Sequence, residues 1–397
     1  MTGSDAVPAV PVRWVSVGEQ AVVGDSAVVP DLLESERAGV AAVIAASIAG
    51  NTAAAYASDW RRFTGWCAGR GFVALPAHEL TVAAYLTAAA EQTRLDGRPG
   101  FVPATLTRWV SSINQVHTAA GLPAPGKSET VRRTLAGIRA TRATPAVRRH
   151  PLSPKEMKEL VASTRAHQGQ GGWGQQVLAV RDIALLLLGY MAALRSDSLA
   201  QMQLRDVALH PEDGLHLTLR KSKTDQQAQG RVVAVPVGEH PATCGVCAYL
   251  AWRQLLDANV EGGRPAVIQL LRRTTTPGGT PVEHRCRTVD ALHPPAFPLS
   301  PLFPVTGRTG QIGESPLTAA AIAARVKARA GQAGWPAHRL AQLGGHSLRR
   351  GRVTAGFRAG ESAHDLKDLT GHASMDTLDR YRDAATPPGS RGVRLGL

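Results

Sequence analysis

Across residues 52–67 the chain reads TAAAYASDWRRFTGWC, with Tyr56, Trp60, Phe63 and Trp66 recurring at steps of three or four. That period gathers the aromatic rings on one helical face, and Asn51 is placed to cap the N-terminus. The same reasoning predicts helices over residues 81–94, 103–120 and 129–142, punctuated by GRPG and GLPAPG. Further on, the apolar run 183–194 lies between Asp182 and Arg195. It falls short of the roughly 20 residues that span a bilayer and predicts a buried helix. Leu215, Leu217 and Leu219 then alternate with His216, Thr218 and Arg220. After the turn-forming KSKTDQQAQG comes the β-rich RVVAVPV, so a hairpin with lysines near its tip is expected. Residues 258–315 are dense in Gly, Pro and Thr and predict long irregular loops around short elements.

These elements divide the chain. Residues 1–30 lack a sustained period and read as a loose extension. Residues 31–145 form an all-α region, and 146–154 a linker marked by Pro151 and Pro154. Residues 155–385 are mainly helical with a small β element, and 386–397 form a tail. The expected fold class is mainly α with a small β-sheet or hairpin, an α+β arrangement.

Composition narrows the partners. The 397 residues carry 45 Lys+Arg against 31 Asp+Glu, a formal net charge of +14. Such an excess attracts polyanions. Alone it suggests nucleic acid only moderately; its placement tells more, since Lys127, Arg132, Arg133, Arg139, Arg142, Arg148 and Arg149 are opposed only by Glu129. The opening MTGSDAVPAV has no basic n-region and no leucine-rich core, so a secretory signal is not expected. A soluble cytoplasmic protein without membrane contact is, and nucleoid-associated if it binds DNA. Four cysteines in so long a chain cannot be a disulfide framework. Cys244 and Cys247 make a C-x-x-C with His240 before it and His284 and Cys286 beyond. No second C-x-x-C or H-x-x-x-H completes a tetrahedral set at ordinary spacing, so these are read as buried thiols with no metal.

A second set of residues carries chemistry. Arg195 follows the buried helix, where a guanidinium ordinarily complements the C-terminal dipole. Lys223 sits near the hairpin tip, a common place for a solvated lysine. His346 and Arg349 share one helical face after Gly344 and Gly345, beside backbone N–H groups that favour an anion. Gly371 reads as the C′ residue of a helix begun near Ser362, and Ser374 as the cap of a short helix carrying Tyr381. His372 and Tyr381 lie nine positions apart. Two arginines, a lysine, two histidines and a tyrosine suit displacement at a phosphodiester. The phenol attacks phosphorus, the guanidinium groups hold the non-bridging oxygens, and a cationic acid protonates the leaving alkoxide.

In that order the boxes ALRSDSL, SKTD, HSLRR, LTGHAS and the tyrosine segment, after the helical NTAAAYASDWRRFTGWC and TLTRWVSSINQVHTAAGL, resemble the tyrosine recombinases, or phage-type integrases. The resemblance runs from about residue 31 to 385. It implies a helical core-binding domain (31–145) and an integrase-like catalytic domain (155–385) that clamp duplex DNA. It further implies a 3′-phosphotyrosine on Tyr381, with Arg195 and Arg349 on the scissile phosphate. Lys223 would be general acid, and His346 and His372 would assist proton transfer and positioning. No cofactor is implied, neither ATP nor metal. Four protomers on two duplexes are the usual working unit, and the tail after Tyr381 would dock on a neighbouring subunit. Two departures stand out: Ser198 occupies a usually acidic position with Asp197 one place early, and Ala193 replaces a common glycine. CGVC also stands where the family often has Cys-Pro-Val-Arg. Two other functions share part of the pattern, a non-catalytic DNA-binding accessory protein and a relaxing topoisomerase of type IB.

Overall fold

Side-chain caps start five of the described α-helices in the computed structural model, which describes residues 33–46, 50–93, 97, 99–142, 149–220, 230–274, 281, 283–289, 291–372 and 374–385. The chain separates into two units, 1–146 and 147–397. The first contains α1 (Glu34–Ala46), α2 (Gly50–Ala68), α3 (Glu79–Glu91), α4 (Pro103–Ala119) and α5 (Glu129–Thr141). His78 caps α3 by accepting the Leu80 N–H, and Ser128 caps α5 by accepting that of Val131. The aromatic stripe on α2 is real, but only Phe63 of the four is fully buried, with Trp60 and Trp66 at its margins. Its core pairs Phe63 with Tyr85 and stacks Tyr85 on Trp109, ring centroids 5.2 Å apart in both cases. Buried Asp59 takes a bidentate ion pair from Arg108 (2.8 and 2.9 Å), fixing α2 to α4. Asn51 is not a cap: it lies inside α2, because the helical backbone already runs from Gly50.

The second unit contains α6 (Pro154–Gln170), α7 (Trp173–Met191), α8 (Ser196–Gln201), β1 (Val207–His210), β2 (Gly214–Leu219), β3 (Arg231–Val235) and α9 (Gly245–Thr274). There follow β4 (Pro304–Thr306), β5 (Ile312–Pro316), α10 (Ala319–Gln332), α11 (Ala337–Gln342), α12 (His346–Ala359), α13 (Ala363–Thr370) and α14 (Met375–Ala385). A capping box starts α6, Ser153 and Glu156 each satisfying the other's backbone N–H. The predicted hairpin is present as part of an antiparallel sheet in the order β1–β2–β3, with Leu215 opposite Val235 and Leu217 opposite Val233. Those alternating leucines face the main core, as a period of two requires.

Residues 258–274 correct the expectation of loops. The helix breaks at Gly262 and Gly263, then resumes to Thr274. Pro265 therefore sits in the first turn of a new helical segment, where its missing N–H leaves no bond unmade.

At the centre lies α7, buried from Arg181 to Tyr190. Asp182 is fully buried and accepts Arg181 (2.7 Å) on one oxygen and Arg329 (2.8 Å) on the other, tying α7 to α10. Asp182→Asn leaves two buried guanidinium groups without a counter-charge, and chemical denaturation is expected to show a loss of about 3 kcal/mol. A loss under about 1 kcal/mol would refute this role for the triad. No described helix is long and apolar enough to cross a membrane.

Residues from Arg149 onward lie along the second unit. The Arg149 guanidinium donates to the Ala341 carbonyl (2.9 Å), the His150 N–H to Gln342 (2.9 Å) and the Leu152 N–H to Ser347 (3.2 Å). Leu152 is fully buried, and a side chain at Gly351 on α12 would collide with its backbone. Glycine there lets α12 seat closely enough to present His346 and Arg349.

Candidate active site

Two helix ends and one sharp turn bring the site together. After α7 the chain turns through Ala193 at φ +49°, a left-handed conformation that suits glycine better than alanine. This turn aims the Ala193 carbonyl at Arg349, whose Nη1 donates to it at 2.8 Å. Arg195 follows at the N-cap of α8, half-buried. Across the site, α13 ends at Gly371 (φ 62°, ψ 46°), as the sequence predicts, after starting from a Ser362 cap. The carbonyls exposed by that helix end accept guanidinium groups. Arg231 Nη1 donates to Asp368 (2.7 Å) and Leu369 (2.9 Å), while Arg349 Nη2 donates to Thr370 (2.7 Å). A Cβ at Gly371 would press on the Arg231 guanidinium, so the residue is required for packing as well as for φ.

Arg349 is 1% exposed. Its Nη2 also reaches His372 Nε2 at 3.1 Å, and because arginine only donates, Nε2 carries the lone pair. His372 Nδ1 therefore bears the proton and donates to Thr370 Oγ1 (2.8 Å), which donates in turn to the Leu366 carbonyl (2.6 Å). Burial, followed by the charges of Arg349, Arg195 and Arg231, pushes the imidazole down to about 4, so it is neutral at physiological pH. Three of the five N–H groups of Arg349 are thus occupied by protein, and the group also meets the Tyr381 hydroxyl. Burial and then Arg195 push Arg349 down to about 9, which leaves it charged.

Tyr381 on α14 rests against the small core of Val353, Phe357, Leu366 and Leu378. Its ring lies 5.7 Å from that of His372, and Arg350 stands over it at 5.6 Å. Arg195 is lowered by burial and opposed by the neighbouring Tyr381 and Asp197. His346, first residue of α12, has an exposed ring, yet the protein packed around it, followed by Arg349, Arg195 and Arg350, lowers its pKa below the usual histidine value. Asp197, one place early, is the carboxylate that faces both Arg195 and His346. The pocket thus concentrates positive charge around one phenol, and a phosphate oxygen entering it relieves repulsion among the arginines.

Of the six expected site residues, Arg195, His346, Arg349, His372 and Tyr381 converge here; Lys223 lies outside the described residues. The sequence reasoning missed Arg231, Thr370 and Arg350. Arg231, as the first residue of a β run, carries no motif of its own. Arg350 adjoins Arg349, and only the fold shows that it reaches Tyr381. Among the expected DNA contacts, Arg132, Arg133 and Arg139 project from the outer face of α5, and Lys127 precedes it, exposed. Arg132 and Arg133 pair with Glu129 (2.8 and 3.0 Å), Arg139 donates to Thr107, and Arg142 closes the helix. Arg148 lies outside the described residues, as do 1–30 and the tail from 386.

No protein-family model matches the sequence. The chain is 28% identical over 338 residues to an integrase/recombinase XerD homologue of Selenomonas ruminantium, covering 84% of this chain and 82% of that protein. Among solved structures it is similar to the XerH site-specific recombinase in a post-cleavage complex on palindromic difH (TM-score 0.44, 16% identity, 78% of this chain and 69% of that one). It is also similar to a lambda integrase fragment, a dimer on a COC′ core site (TM-score 0.40, 17% identity, 91% and 97%). In its relative in sequence, and in the ordered boxes that the fold gathers around one phenol, the chain is similar to the tyrosine recombinases.

Proposed function

We propose that this chain is a site-specific DNA recombinase that breaks and rejoins strands through a 3′-phosphotyrosine on Tyr381. The observation that carries the reading is the meeting of the Tyr381 phenol with Arg195 and Arg349 in one electropositive pocket. The Tyr381 oxygen forms a bond to phosphorus as the bond to the 5′-oxygen breaks. The phenol releases its proton to solvent, and the departing oxygen gains one from Lys223. A free 5′-hydroxyl from a partner strand then attacks the same phosphorus and returns the phenol. Because each ester bond made replaces one broken, the exchange is near thermoneutral and consumes no nucleotide.

Arg195 and the unoccupied N–H groups of Arg349 hold the non-bridging oxygens. His346, neutral and open to solvent at the α12 N-terminus, is the histidine free to exchange a proton with the phosphate. Both ring nitrogens of His372 are committed, and its part is to aim Arg349. Arg132, Arg133 and Arg139, with Lys127, Arg142, Arg148 and Arg149, track backbone phosphates and position the duplex. Assembly into a tetramer on two paired sites, in the nucleoid, belongs to the same proposal.

The test is to denature cells expressing the protein directly in SDS, recover covalently bound DNA, sequence its ends and identify the linked peptide by mass spectrometry. A single recurring DNA end on the Tyr381 peptide is expected. Bound DNA with no SDS-resistant link would instead favour an accessory protein, and links at no preferred sequence a relaxing topoisomerase.

A further inference from the structure

Away from the Tyr381 pocket, and sharing no residue with it, four metal-ligating side chains come together from two distant segments. Cys244 and Cys247 flank the start of α9, and His284 and Cys286 lie some 40 residues later in the segment 283–289. Their ligand atoms all lie within 4.8 Å of one another. Cys247 Sγ is 3.5 Å from Cys286 Sγ and 3.6 Å from His284 Nδ1. Cys286 Sγ is 3.9 Å from Cys244 Sγ and 3.7 Å from His284 Nδ1.

These spacings are those of a coordination shell. With Zn–S near 2.3 Å and Zn–N near 2.0–2.1 Å, the edges of a tetrahedron are about 3.8 Å between sulfurs and about 3.6 Å from sulfur to nitrogen. A disulfide would need about 2.05 Å, and all three thiols are free. The surroundings fit a metal as well. His284 Nε2 faces the Glu239 carbonyl at 3.4 Å, which fixes Nε2 as the protonated nitrogen and leaves the Nδ1 lone pair for the sulfurs. The Gly238 N–H donates to Cys244 Sγ at 3.3 Å, a contact that supports a thiolate. Beside Cys247, Arg165 supplies positive charge while held by the Ala242 carbonyl (2.9 Å).

We propose that Cys244, Cys247, His284 and Cys286 bind one zinc ion in a closed tetrahedral site that pins the first turn of α9 to the 283–289 segment. Three thiols release three protons to solvent as the ion binds. Thiolate ligands select zinc over calcium or magnesium, and four protein ligands leave no open position, so the ion is structural. The sequence reading named Cys244, Cys247, Cys286 and both His240 and His284 and took the cysteines as buried thiols; the fold places His284 beside them as a fourth donor. His240, nearer in sequence, is not part of the cluster.

The test uses the full chain, expressed in zinc-supplemented medium without a polyhistidine tag, and reads metal by elemental mass spectrometry. About one zinc per chain is expected, lost in Cys286→Ser and His284→Ala and kept in Cys67→Ser, whose thiol lies in the other unit. Should the cluster variants fail to fold, cobalt(II) exchanged into the unaltered protein gives the absorption of a tetrahedral thiolate site. Removing the metal with a chelator lowers the melting temperature by about 10 °C. Wild-type protein without zinc, with stoichiometric iron in its place, with an octahedral cobalt spectrum, or with a disulfide among these cysteines would overturn the proposal.

Discussion

Tyr381→Phe is expected to bind DNA as the parent does and to form no SDS-resistant protein–DNA link. The substitution removes one oxygen and keeps the ring that rests on Val353, Phe357, Leu366 and Leu378. Stability should therefore change by only about 1 kcal/mol, the ordinary worth of a lost hydrogen bond. Deleting a covalent nucleophile costs at least about 10⁴-fold in rate, which takes adduct formation below detection. The measurement is a time course on a nicked duplex carrying the recovered site, with binding followed by gel shift and folding by thermal melting. If the Phe variant became linked to DNA at the parental rate, another residue would be the nucleophile.

Arg349→Lys should lose strand cleavage by about 10³-fold at saturating DNA, since one donor aimed at a developing oxyanion is worth about 10²–10³ and lysine cannot reproduce the fork. The Arg349 guanidinium reaches the Ala193 carbonyl, the Thr370 carbonyl and His372 Nε2 at once. A single ammonium cannot span those acceptors and still meet phosphate. The same loss releases His372 from its fixed tautomer, so a partial fall in melting temperature accompanies the kinetic one. Single-turnover cleavage separates the two effects, because protein that has melted does not shift DNA. Cleavage within tenfold of the parent would remove Arg349 from the phosphate-binding role.

Much of this was legible locally. Ser362 announces the helix it caps, and Gly371 announces the end of α13, because a cap and its first turn are one short-range hydrogen-bonding unit. Alternation of Leu215, Leu217 and Leu219 likewise gave the face of β2. The Gly-Pro composition after residue 258 misled, since composition does not say that Gly262 and Gly263 absorb the break and leave Pro265 at a permitted helical position.

The sequence by itself pointed to one reaction class, because the identities and order of Arg195, His346, Arg349, His372 and Tyr381 are chemical and need no coordinates. What those groups do to one another was decided only by the fold. The commitment of both His372 nitrogens, the hold of Arg231 on the end of α13, and the meeting of His284 with three cysteines all join residues from separate elements. Hydrogen bonds and metal coordination act over about 3 Å, and sequence separation carries no information about which distant groups chain closure will bring within that reach.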